Sequence, residues 1–183
     1  MIEQVVSYFD TKLEMFGLSL KAMGYNRTDA FGQYAALRES INPKGKVVLD
    51  IGCGLGIGSV FFSDCLYYGC DGSAEMIAGA QKIHPEIRDA FSVNISPPFP
   101  VDWIVMSCLF SVGYDKTEIR KMLGNCLENA KEGIALTFLT KKRDSMTVFP
   151  LDWWVAQAEQ FSSRWVLRHD FSSHIGLLVL HKG

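Results

Sequence analysis

From residue 46 onward, short apolar runs alternate with segments whose apolar positions recur at helical spacing. That is the pattern of a parallel sheet covered by helices on both faces. Lys46 to Ile51 reads as a buried strand rich in branched side chains, Gly56 to Ser63 as a short helix, and Leu66 to Cys70 as a second strand. Ser73 is a good cap for a helix over Glu75 to Ile83, because a serine oxygen accepts from the free amides of a first turn. A third strand over Ile87 to Val93 is interrupted by Arg88 and Asp89. A fourth runs from Val101 to Ser107, after the turn-rich Ser96-Pro97-Pro98-Phe99-Pro100. Asp115, with Glu118 three residues on, starts the best-defined helix, along which Ile119, Met122, Leu123, Cys126, Leu127 and Ala130 share one face. Gly133 to Leu139 supplies a fifth strand, and Asp152 is the expected cap of a helix over Trp153 to Phe161.

The last two runs, Trp165 to Phe171 and Ile175 to His181, are separated only by Ser172, Ser173 and His174. So short a link allows a hairpin but no helical crossover, which makes this pair antiparallel. The pattern therefore predicts an α/β fold whose seven-stranded sheet is mostly parallel, ends in an antiparallel C-terminal hairpin and carries helices on both faces. Ahead of it, Ile2, Val5, Val6, Phe9, Leu13 and Phe16 form one apolar stripe. Phe31, Tyr34, Ala35 and Ile41 form another, before Pro43 and Gly45 stop the second helix. Residues 1–45 are the expected N-terminal helical lid and residues 46–183 the sheet domain.

Val47-Val48-Leu49-Asp50-Ile51-Gly52-Cys53-Gly54-Leu55-Gly56 is a strand running into a glycine-rich turn that opens a helix. Glycines at alternate positions let a ligand lie directly on the main chain, near the exposed amides of a helix start. A dinucleotide fingerprint would need its third glycine at Ile57 in one frame or Ser59 in the other, so nicotinamide and flavin binding are disfavoured. The pattern D-x-G-x-G-x-G resembles instead the first motif of class I S-adenosylmethionine-dependent methyltransferases, a Rossmann-like family. Gly69-Cys70-Asp71-Gly72-Ser73-Ala74-Glu75-Met76, with its acid 21 residues after Asp50, resembles that family's second motif.

The resemblance spans roughly residues 46–181, and it implies S-adenosyl-L-methionine as the cofactor. The implied contacts are Asp50, Gly52, Cys53, Gly54 and Gly56 in the loop, Asp71 on the ribose hydroxyls, and Gly72 and Met76 beside the adenine. In the family an acid after the third strand commonly binds the adenine amine; here Asn94-Ile95 stands there, an amide replacing the acid. Ser107, at the end of the fourth strand, is expected to bring its backbone near the sulfonium.

Composition narrows the partners. A formal charge of −2, with Lys141-Lys142-Arg143 as the one basic run, gives no basic face for nucleic acid. No stretch approaches the roughly 20 apolar residues that cross a bilayer, and no signal peptide is read at the start. Cys53, Cys65, Cys70, Cys108 and Cys126 are widely spaced and suggest neither a zinc site nor a disulfide framework. They read as buried thiols in a reducing, cytoplasmic compartment, with no metal expected.

The acceptor is the open question. The Asn-Pro-Pro-aromatic string of many amino-methylating enzymes is replaced here by Ser107-Cys108-Leu109-Phe110, and there is no separate recognition domain, so a small-molecule substrate is expected. Tyr114, Asp115, His169 and His174 are candidates for a proton-accepting base, but Asp115 serves equally as a helix cap and no catalytic residue is assigned. Trp153 and Trp154 could line an acceptor pocket or pack in the core. Tyr25 and Gln33 are expected either to close over the methionine end of the cofactor or to face water. The alternative to an enzyme is a non-catalytic module that keeps the fold and serves a protein partner. Neither the charge nor the aromatic content chooses oxygen, nitrogen, sulfur or carbon as the methylated atom, and the oligomeric state is left open.

Overall fold

A computed structural model of the chain describes residues 2–96, 98–142 and 146–183. Pro97 of the expected turn and Arg143 of the basic run lie outside the described residues, as does the side chain of Ile2. Seven strands form one sheet: β1 (Val47–Ile51), β2 (Leu66–Asp71), β3 (Phe91–Val93), β4 (Val101–Met106), β5 (Ala130–Leu139), β6 (Trp165–Arg168) and β7 (Ile175–His181). Their order is β3-β2-β1-β4-β5-β7-β6. The first five run parallel, and β7 is antiparallel to both β5 and β6.

Side chains alternate between two apolar layers, as the period of two along a strand requires. Leu49, Ile104, Leu136 and Leu178 pack on one face with α5 (Lys116–Asn129) and α6 (Leu151–Phe161). Val48, Val105, Ala135 and Val179 pack on the other with α2 (Arg27–Ser40), α3 (Gly58–Phe61) and α4 (Ala74–Ile83). Because both faces are covered, the central strands are apolar at nearly every position.

The helix starts follow their caps. Ser73 Oγ accepts from the Met76 amide at 3.0 Å. Asp115 closes a reciprocal capping box with Glu118, whose carboxylate accepts from the Asp115 amide at 2.9 Å. Strand β5 starts at Ala130, which the spacing had put on the face of α5, and three other boundaries differ from the sequence reading. The segment Pro85–Ala90 turns as a 3-10 helix with no buried residue, because Arg88 and Asp89 stay in solvent, and β3 is left with three residues. Strand β6 stops at Arg168, whose guanidinium reaches Asp170 and Ser40. Helix α6 starts at Leu151 behind Pro150, so Asp152 sits inside its first turn, on the Trp153 amide, rather than at the cap.

The N-terminal helices differ in kind. Tyr34, Ala36 and Leu37, with Ile41 at its C-cap, make α2 part of the core layer on its sheet face. Helix α1 (Ile2–Phe16) contributes Phe9 and Leu13 to a small separate cluster with Ala22, Leu55 and Met76. It runs from the Gly113 turn, which Val5 touches, to Ser73, whose hydroxyl donates to Asp10. That path crosses the C-terminal ends of the parallel strands.

Candidate functional site

The strand order reverses between β1 and β4, the place where open α/β sheets hold ligands outside the carboxyl ends of their strands. The turn after β1 has Gly52 at φ 76° and Gly54 at φ 52°, a left-handed backbone that favours glycine. A Cβ on Gly52 would come 2.7 Å from Leu109 Cδ1, and one on Gly54 would come 2.6 Å from Met23 Sδ. Asp71, at the end of β2, ties this turn down. One carboxylate oxygen accepts from the Gly54 amide and the other from the Ser73 amide, each at 2.9 Å. Burial raises the Asp71 pKa; the Ser73 and Gly54 amides oppose that rise, and nearby Asp10 of α1 adds to it.

Asp50 lies behind the turn and is fully buried. Its Oδ2 accepts from the Tyr67 hydroxyl at 2.8 Å and from the Tyr34 hydroxyl at 2.9 Å, while Oδ1 has no partner. Burial pushes its pKa to about 7; the two tyrosines pull down and Asp71 pushes further up. A carboxylate held this way fixes α2 and β2 beneath the loop.

A cavity with about 1110 Å³ of empty space, counting its open mouth, lies over these strand ends. Of the residues expected to hold a cofactor, Gly52, Cys53, Gly54, Asp71, Gly72, Met76, Ile95 and Ser107 line it, and Asp50, Gly56 and Asn94 do not. Gly56 faces Phe91 and His84. The Asn94 side-chain oxygen turns back onto its own chain, accepting from the Ile95 amide at 2.7 Å and the Ser96 amide at 3.2 Å. That Asx turn engages both the Asn94 side-chain oxygen and the Ile95 amide. The sequence reading missed Val5, Val6 and Phe9 of α1, together with Met23, Leu109 and Leu139, as parts of the wall. The apolar stripe of α1 was a usable signal, but a stripe does not say which surface it meets.

Tyr25 and Gln33 both line the cavity. The Tyr25 hydroxyl donates to the Ser107 carbonyl at 2.9 Å. Burial raises its pKa well above the usual phenol range, Cys108 adds to the rise, and hydrogen bonding to Ser107 opposes it. Gln33 is buried, and its Oε1 accepts from Thr137 at 2.7 Å and from Ser107 Oγ at 3.2 Å. Gln33 is shut off from water, and Tyr25 is half-buried with its hydroxyl bonded to the wall.

The base candidates separate by position. Tyr114 lines the cavity, but burial, with help from Asp71 and Glu118, pushes its pKa to about 12, so it is a proton donor at neutral pH. Asp115 is committed to its helix cap. His169 is exposed, and His174 Nε2 stands 3.3 Å from Asp29. Trp154 is fully buried against Phe138, and Trp153 packs on Phe149, so both tryptophans belong to the core. The five cysteines are free, four buried and Cys65 half-buried. Among the described residues no cluster could hold a metal ion, and no helix is long and apolar enough to cross a membrane.

No family model matches the sequence, and no curated protein matches it significantly. Solved structures do match. DhpI in complex with SAH superposes with a TM-score of 0.73 over 97% of this chain and 95% of that one, at 13% identity. The chain has the class I methyltransferase fold. A magnesium protoporphyrin IX methyltransferase from Synechocystis PCC 6803, with bound SAH, matches at TM-score 0.66 and 19% identity, over 85% of this chain and 81% of that one. A SAM-dependent methyltransferase from Aquifex aeolicus matches at TM-score 0.60 and 18% identity, over 86% and 93%. In this methyltransferase fold the Gly52–Gly54 turn, Asp71 and the end of β4 share one cavity.

Proposed function

We propose that the chain binds S-adenosylmethionine and transfers its methyl group to a small-molecule acceptor held in the same cavity. The observation that carries this reading is the union, in one cavity, of the Gly52–Gly54 turn, Asp71 and Met76 with a second wall of Tyr25, Leu139, Met146 and Ile175. The residues fit the cofactor. Each Asp71 oxygen receives one backbone amide, and a carboxylate oxygen has a further lone pair for a ribose hydroxyl. Met76 and Ile95 offer apolar flanks for a flat base, and the bare glycine backbone leaves room for close approach.

When bound, S-adenosylmethionine supplies a methyl group already activated on a sulfonium. The protein's part is therefore alignment and exclusion of water. Asp71 and the turn hold the donor side, and Asp50 with its two tyrosines keeps the turn in place. The lid is α1 and the segment 17–26, with Val5, Val6 and Phe9 covering the cavity from above and Met23 lying against Gly54. Helix α2 belongs to the sheet's core, which narrows a lid of residues 1–45 to its first half. The free thiols support a reducing compartment such as the cytoplasm.

Calorimetry with S-adenosylmethionine and its demethylated product, followed by methyl transfer across an acceptor library, tests the reading. Binding of both and turnover of at least one small acceptor are expected. Failure to bind either compound overturns it, and binding without transfer moves the chain to the non-catalytic module.

A further inference from the structure

The acceptor side of the cavity holds a buried hydrogen-bond donor that meets no acceptor in hydrogen-bond geometry. Gln33 is 1% exposed, lines the cavity, and its Nε2 makes no hydrogen bond. The orientation of the amide follows from its neighbours. Thr137 Oγ1 accepts from the Cys108 amide at 2.9 Å and so directs its own hydrogen to Gln33 Oε1. Turned the other way, the amide would leave that hydrogen only the Cys108 sulfur, a weak acceptor 3.7 Å away. The Tyr25 oxygen lies near the Gln33 amide without meeting hydrogen-bond geometry, so at most one Nε2 hydrogen is turned toward it.

The position of Gln33 is as informative as its chemistry. It touches Ser107, just after β4, and Thr137 on β5, whereas Asp71 ends β2 on the other side of β1. Gln33 thus faces the half of the cavity away from the ribose-binding acid, where Leu139, Met146 and Ile175 make an apolar wall. Nearby, the Ser107 carbonyl takes the Tyr25 hydroxyl, the Cys108 carbonyl takes Ser111, and the Asp29 carboxylate meets Asn26 and His174.

We infer that the acceptor is a small, uncharged, mostly apolar alcohol or phenol whose nucleophilic oxygen accepts a hydrogen bond from Gln33 Nε2. This rests on the methyl-transfer reading of the same cavity. An oxygen has one lone pair for the new bond to carbon and another for Gln33. As the oxygen–carbon bond forms, the carbon–sulfur pair stays on sulfur and the hydroxyl proton leaves to water at the open mouth. A neutral amine has a single lone pair, so it cannot form the new bond and accept from Gln33 at once. No lysine or arginine among the described residues lines the cavity, so an anionic acceptor would go unpaired.

The test is titration of the full chain, saturated with SAH, using matched neutral probes: phenol against aniline, and 3-methylphenol against 3-methylaniline. The Gln33 side-chain amide is followed by nitrogen–proton NMR and assigned by its loss in Gln33→Glu, a change that keeps an oxygen for Thr137 and Ser107. The phenols are expected to shift this amide and to bind Gln33→Glu about ten-fold more weakly, as one lost buried hydrogen bond implies. The anilines are expected to do neither. Anilines that shift the amide as strongly as phenols, phenols that leave it unmoved, or phenol affinity unchanged in the variant each overturn the inference. If Gln33→Glu does not fold, the amide is assigned by conventional means and the wild-type titration decides. Failure of SAH to bind is a failure of the methyl-transfer reading alone, because the same titration then runs without it.

Discussion

At the scale of single residues, two carboxylates 21 positions apart, Asp50 buried and Asp71 half-buried, do opposite work. Asp71 faces the cavity with lone pairs to give, so Asp71→Ala should remove two charge-assisted bonds worth roughly 1.5–3 kcal/mol each. Calorimetry should show S-adenosylmethionine affinity down by about a hundred-fold or more, with an unchanged circular dichroism spectrum. Asp50 faces away and acts through stability. Its native pKa of about 7 lies above its ordinary 3.8. Between those values the unfolded chain has released a proton that the native state keeps, so stability falls as pH rises through the window. Asp50→Asn should flatten that slope, read as urea midpoints at pH 4.5, 6 and 8. The sequence marked both acids but not their division, since spacing along the chain does not say which carboxylate two tyrosines will cover.

At the scale of elements, the capping box of α5 was legible because it is written within four consecutive residues. Asp115→Ala should lower stability by about 1 kcal/mol and leave SAH affinity untouched. An unchanged melting temperature would remove the cap, and a loss of affinity would return Asp115 to the site. The N-terminal helices needed the structure. Deleting residues 1–16 removes α1, which packs on the small cluster at Leu55 and Met76 and reaches the main core only through Val5 among its described side chains. The remainder should fold and bind SAH more weakly, by thermal melting and calorimetry. Deletion through Ser40 also strips Tyr34 and Leu37 from the core and should abolish folding. Both helices show apolar stripes in sequence, and only the packing separates lid from layer.

For the whole molecule, ligand binding across the open ends of β1, β2 and β4 should tie loop, lid and sheet together. At 100 times its dissociation constant SAH should stabilise the fold by about 2.7 kcal/mol, raising the melting temperature by roughly 5–10 °C for a chain of this size. An unchanged melting temperature in saturating SAH would count against the site.

The sequence by itself determined the seven strands, the antiparallel end and the glycine turn with its acid, because periodicity, turn chemistry and a three-residue link are local properties. Tertiary structure alone decided that Asp50, Gly56 and Asn94 stand outside the cavity and that Gln33 stands inside it. Exposure and hydrogen-bond partners are set by neighbours distant in the chain: Gln33 meets Thr137, and no local pattern at either residue announces the other.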